Sequence, residues 1–282
     1  MPEHLTPALA AAYAAEILFF FAGLVVWWRF ALRPEARRQS ARLEPWAISP
    51  SEFLACAVLV IGGGYLFLLL VHTLVEPHLR GLPANDDTRT IVYNVVFQAG
   101  LFLGLAGAAG FAANRDTPAA APGALSVPLA GILTFLAVRP ASDLGGIVSE
   151  QFLRFFGLPA TPQEQIEIFT RLRSPALFAA FFTLAVVIAP VVEELIFRAG
   201  LFRYLRTRLP RLAALLLPSL FFALLHMDWK TLGGLASLLP LTLLAVVFSL
   251  AYERTGRIGV TMIAHGLFNL NNILFLLAGM RS

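Results

Sequence analysis

Apolar residues run along this chain in stretches too long and too continuous for a half-buried strand, and short polar loops separate them. The first stretch, Pro7 to Trp28, is long enough at about 1.5 Å per residue to cross the roughly 30 Å of hydrocarbon in a bilayer. No positive charge precedes it and no small-residue cleavage site follows it, which favours a membrane helix over a cleaved signal peptide. Trp27 and Trp28 mark an interface, and Arg29, Arg33, Arg37, Arg38 and Arg42 follow, with Pro34 and Pro45 as breakers. Basic residues accumulate in cytoplasmic loops, so this linker reads as inside and the N-terminus as outside.

Phe53 to Val75 is a second span, in which Gly62, Gly63 and Gly64 would let another helix approach closely. The loop Glu76 to Arg89 sets Glu76, Asp86 and Asp87 against Arg80 and Arg89, which suits the outer side. A third span runs from about Thr90 to Ala113, with Gly104, Gly107 and Gly110 along one stripe as a packing surface. After the Pro/Ala-rich loop Asn114 to Gly123, a fourth runs from Ala124 to about Val138 and is expected to stop at Arg139-Pro140. From there to Pro175 the chain is too polar to span. Within it, Thr161 to Phe169 opens with a helix N-cap and a proline near the first turn, as a helix lying on the outer surface would.

Four more runs follow: Ala176 to about Phe202, Leu212 to His226, Leu232 to Tyr252 and Ile258 to Ala278. Arg203, Arg206, Arg208 and Arg211 follow the fifth run, and Glu253, Arg254 and Arg257 make a short, net-basic turn before the last. Loop charge and span count agree on an all-α polytopic membrane protein of about eight transmembrane helices with both termini outside. It reads as one membrane-embedded domain, 1–282. Residues 1–175 supply N-terminal helices and an outer surface segment, and 176–279 form the core that carries the candidate chemistry.

Composition sharpens this. Hydrophobic residues are 58% and charged residues 13% of the 282, against about a quarter charged in soluble domains. The sequence pI of about 9.7 does not imply a nucleic-acid partner, because the basic residues sit in short loops between apolar runs, as topology signals do. The single cysteine, Cys56, excludes an intrachain disulfide, and its neighbours Leu54 to Ile61 offer no base to activate a thiolate.

The candidate chemistry starts at Pro190-Val191-Val192-Glu193-Glu194-Leu195-Ile196-Phe197-Arg198, which puts two carboxylates and a guanidinium in the fifth run. Each charge at the centre of a membrane helix costs about 2.5–3.5 kcal/mol on insertion scales, so three are not filler. Glu194 and Arg198 are four residues apart on one helix face and can pair. Glu193 points about 100° away and is left without that partner. A lone carboxylate in a water-poor place is poised to take a proton, which is what a general base does. Glu16, mid-span with no motif around it, reads as a packing contact.

Two more polar features interrupt apolar runs in the same half. Phe222 and His226 end the sixth run, and His265 and Asn269, four apart on one face, lie inside the eighth. A lone intramembrane histidine is usually a helix-to-helix hydrogen bond. Glu193, His226, His265 and Asn269 on three different helices instead imply groups that face one another or a wet cavity. One point fits poorly: His226 lies about 21 Å along its helix from Leu212, whereas His265 lies about 10 Å from Ile258. A common depth requires the sixth helix to start near Arg208 or to tilt strongly.

Glu193-Glu194 with Arg198, then Phe222 with His226, then His265 with Asn269, in that order on successive hydrophobic segments, resembles the CAAX protease and bacteriocin-processing family of intramembrane endopeptidases. That family includes the type II CAAX prenyl endopeptidases. The turn Tyr252-Glu253-Arg254-Thr255-Gly256 resembles it too, and the likeness covers about Ala176 to Ala278. It implies eight helices around a polar, water-filled cavity open toward the cytoplasm. It also implies a protease in which Glu193 and His226 activate water and His265 and Asn269 stabilise the oxyanion. Glu194 and Arg198, with Phe222 beside them, would hold the site together.

No cofactor is expected on this reading. The alternative is zinc held by Glu193, His226 and His265, since two imidazoles and a carboxylate are a zinc donor set, although no His-Glu-x-x-His is present. Outside catalysis, the alternatives are a scaffold or immunity-type protein of the same fold, or a transporter gated by Glu193 and Arg198; the latter lacks paired broken helices and an internal repeat. The expected partners are the bilayer and a membrane-associated or lipidated protein substrate. Richness in Ala, Arg and Leu points to a bacterial inner membrane.

Overall fold

Backbone polar groups in hydrocarbon have no water to bond, so a chain this apolar must satisfy them within helices. The computed structural model describes residues 6–38, 41, 43–44, 46–82, 86–112, 125–159 and 164–280, and every regular element among them is helical. The main helices, in order, are α1 (Pro7–Trp27), continued by a π-helical turn Trp28–Leu32 and the four-residue helix Pro34–Arg37, then α2 (Pro50–Leu79), α3 (Asp87–Ala112), α4 (Val127–Phe155), the short α5 (Glu164–Arg171), the long rod α6 (Pro175–Arg206), α7 (Arg211–His226), α8 (Leu238–Thr255) and α9 (Ile258–Met280). A single 3-10 segment, Leu232–Ser237, leads into α8. Among the described residues seven helices are long and apolar enough to cross a membrane, and α7 is a shorter apolar one. The protein is an all-α polytopic integral membrane protein, one span short of the expected eight by length alone.

The fourth span does not stop at Arg139-Pro140. α4 runs through both, because neighbouring helices satisfy what they bring. Pro140 has no N–H for the Leu136 carbonyl; Gly23 of α1 sets its bare Cα against that carbonyl and the proline ring, and Trp27 Nε1 donates to Ala137 O at 2.7 Å. Arg139 bonds Glu16 of α1 and, at 3.0 Å, Asp143, while Asn271 of α9 donates to Glu16 at 2.6 Å. Glu16 is therefore half of a part-buried ion pair between helices, more than the packing contact its isolation in sequence implied.

Of the glycines expected to admit a neighbour, Gly63, Gly64 and Gly104 do so, while Gly62 faces open space. Gly63 and Gly64 of α2 lie against Gly100, Gly104 and Leu101 of α3, so the hairpin closes with backbones nearly touching. Its loop end is held by the Glu76–Arg89 ion pair at 2.9 Å. α5 buries Ile168 and Phe169 against Ile91, Phe181, Leu184 and Ile273; the N-cap expected at Thr161 lies outside the described residues.

At the opposite end from that hairpin loop, Glu253 ties the core together. Arg206 at the end of α6 and Arg211 at the start of α7 reach its carboxylate at 2.6 and 2.7 Å. Its carbonyl accepts from Leu43 N at 3.1 Å. Arg203 donates to Glu44 O, and Arg257 to Leu125 O. The first linker, the start of α4, the α6–α7 turn and the α8–α9 turn thus share one face, as alternating spans require.

Candidate active site

α6 is not a plain α-helix. Two π-helical stretches, Leu184–Ile188 and Leu195–Phe202, flank Ala189–Glu194, and such bulges concentrate at functional sites. For the first, Pro190 is a local cause: it cannot donate to Val186 O, and its ring crowds that carbonyl. α9 meets the disturbed carbonyls. Asn269 Nδ2 donates to Ala185 O at 2.8 Å, and Gly266 lies so close that a Cβ there would come within 2.6 Å of Val186 O. Only a glycine lets α9 approach this near, and His265 is the residue before it.

Glu193 sits where three helices converge. Its Oε2 is 3.4 Å from His226 Nε2 of α7 and 3.7 Å from His265 Nε2 of α9. The carboxylate that sequence reasoning left without a partner stands between two imidazoles. Glu193 and His226 form the open edge of the site, with side chains 18% and 30% exposed; Glu194 and Arg198 are sealed behind them.

The sealed side fixes the rings. Glu194 Oε1 accepts from Arg198 Nη1 at 2.9 Å and bonds His265 Nδ1 at 3.0 Å. His226 Nδ1 bonds Phe222 O at 2.7 Å, and the ring stacks on Phe222 with centroids 4.2 Å apart. A carbonyl and an ion-paired carboxylate only accept, so each Nδ1 carries its hydrogen and both Nε2 atoms face Glu193. Arg198 lies between two aromatic faces, its guanidinium carbon 4.7 Å from the Phe222 centroid and 5.3 Å from that of Phe248.

The depth mismatch is met only in part by where the helices start. α7 starts at Arg211, not near Arg208, but Ile258, the first residue of α9, packs against the cluster of Phe202, Leu215 and Tyr252. α9 therefore begins about a helical turn deeper than α7, which removes about half of the roughly 11 Å difference, and tilt between the two helices supplies the rest.

All seven candidate residues lie on these converging elements. Glu193, Glu194, Arg198, Phe222, His226 and His265 form one connected cluster, and Asn269 secures α9 to the Ala185 turn of α6. Sequence reasoning missed Phe248, an apolar residue in an apolar run with no local signal. It also missed Gly266, whose position beside a motif histidine was the available signal. Two ring nitrogens and a carboxylate oxygen match zinc's donor preference, and both rings have their second nitrogen hydrogen-bonded, as metal-bound histidines do. Among the described residues, however, no group of three or more His, Cys, Asp or Glu is arranged to hold a metal ion.

Fold and site together define a polytopic membrane protein with an acid–imidazole cluster buried among its spans. Residues 175–271 match the family described as type II CAAX prenyl endopeptidase Rce1-like, a stretch that contains every residue of the cluster. The match points to a CAAX-type protease. Neither a curated protein nor a solved structure matches the chain.

Proposed function

We propose that this protein is an intramembrane endopeptidase that hydrolyses a peptide bond of a membrane-associated or lipidated protein with water activated by Glu193 and His226. The observation that carries the reading is the Glu193 carboxylate between two imidazoles from separate helices, at 3.4 and 3.7 Å. Arg198 is paired with Glu194, which leaves the Glu193 carboxylate to the two imidazoles. Glu193, with His226 beside it, takes a proton from water and the hydroxide attacks the peptide carbonyl. His265 and the Asn269 N–H not given to Ala185 stabilise the oxyanion, and as the C–N bond breaks the proton passes to the leaving amine. Among the protein–lipid alternatives, a scaffold has no use for two imidazoles trained on one carboxylate.

In the zinc variant, Glu193, His226 and His265 would hold the ion, which supplies a Lewis acid for the carbonyl. The basic face built around Glu253 is the cytoplasmic one and both termini are outside, in a bacterial inner membrane. The test is cleavage of a membrane-associated peptide by purified protein against Glu193→Ala and His226→Ala, each with and without metal-free preparation and strong chelation. Loss of cleavage in both folded variants supports the site. Activity that survives chelation removes zinc, and equal turnover by all three proteins overturns the proposal.

A further inference from the structure

We infer that Phe248 is a positioning residue of this site, its ring face holding the Arg198 guanidinium and the His265 ring in place and so keeping His265 Nε2 on Glu193. α8 carries none of the candidate site residues, yet Phe248 is fully buried in the cluster that includes Phe197, Phe222, Ala264 and Phe268. Arg198 Nη2 is buried without a hydrogen-bond partner. A guanidinium so placed would be costly, and what surrounds it is the faces of Phe222 and Phe248 at 4.7 and 5.3 Å. A cation over a desolvated ring face is held electrostatically. The same Phe248 ring lies 5.4 Å from the His265 ring, tilted by 38°. From Phe248 the restraint passes through Arg198 to Glu194 Oε1, which bonds His265 Nδ1 at 3.0 Å. Any aliphatic residue would fill the volume; only an aromatic face holds the cation.

That Phe248 serves catalysis rests on the proposed protease reading, so the test has a readout that does not. Phenylalanine carrying one, two or three ring fluorines, introduced at position 248 of the full chain, withdraws the negative ring face with little change of size. In detergent-purified protein kcat for peptide cleavage is expected to fall stepwise by about ten-fold across the series with KM unchanged, and Phe248→Leu to fall at least as far. The thermal midpoint is expected to fall in step, and this slope to vanish in the paired variant Glu194→Gln/Arg198→Met, which leaves no charge unpartnered. A midpoint that ignores fluorination, or a slope that persists without Arg198, overturns the inference whatever the enzyme cleaves. A flat kcat series in an active enzyme overturns its catalytic part. If wild type and Glu193→Ala cleave alike, the protease reading fails, while the midpoint slope still decides Phe248.

Discussion

The bundle holds two buried polar clusters, and α9 contributes to both. One joins Glu16 of α1, Arg139 and Asp143 of α4 and Asn271 of α9; the other joins Glu193, Glu194 and Arg198 of α6, His226 of α7 and His265 of α9. Each sets two carboxylates and one guanidinium among apolar spans, so charge does not separate them. Their partners do. Glu16 faces a guanidinium and an amide, which give up no proton at working pH. Glu193 faces two imidazoles, side chains that can both give and accept a proton. The first cluster is an interlock between helices and the second is equipped for proton transfer, so an intramembrane charge marks a site only through what it faces.

The sharpest way to break this contrast is to change one residue in each cluster. Glu193→Gln keeps the shape and removes the proposed base; cleavage is expected to fall by about a thousand-fold, within the usual range for lost acid–base catalysis, with an unchanged thermal midpoint. Arg139→Met should do the reverse. It leaves Glu16 and Asp143 facing each other uncompensated, a loss of about 3–5 kcal/mol of stability, while cleavage per folded molecule stays near wild type. Adding Glu16→Gln should recover part of that loss. Detergent-phase melting beside peptide cleavage reads both, and an Arg139→Met protein that is stable but inactive would erase the distinction between the clusters.

The sequence made the second cluster legible and hid the first, for a physical reason. Glu193, His226 and His265 interrupt apolar runs at spacings that a straight helix reads out, so their faces can be assigned one helix at a time. Glu16 and Arg139 are 123 residues apart, and their pairing is a property of packing that no local pattern carries. Taken singly, Arg139 before Pro140 looks like the end of a span. The π-helical turns around Glu193-Glu194 are equally invisible to a fixed 100° step, although Pro190 marked the place. Part of what brought His226 and His265 toward one depth was Ile258 starting α9 deeper, again a packing fact. Span existence, the loop-charge alternation and the glycine contact of α2 with α3 were recoverable because each depends on composition or short-range spacing.

A smaller perturbation tests how tightly α9 must dock. In Gly266→Ala the new methyl would meet Val186 O at 2.6 Å, a backbone atom that cannot swing aside. The expected cost is about 1–3 kcal/mol of stability, with cleavage falling by up to about a hundred-fold as His265 is displaced. Because Gly266 bears no functional group, such a loss would trace to geometry alone. A fully active Gly266→Ala protein would mean that α9 can shift outward without moving His265 off Glu193.

The mildest change probes the interlock away from its charges. Trp27→Phe keeps an aromatic at the helix end and deletes the Nε1 donor to Ala137 O. That carbonyl belongs to the turn Pro140 disturbs, yet Ala141 retains an N–H that an unbroken helix would give to it, so only one of its two hydrogen bonds is lost. The expected loss is about 1 kcal/mol, seen as a small drop in thermal midpoint with no change in cleavage. The charged cluster should therefore outweigh the tryptophan severalfold in holding α1 to α4. Equal losses for Trp27→Phe and Arg139→Met would instead mean that the Pro140 kink, and not the Glu16–Arg139 pair, is what α1 exists to cover.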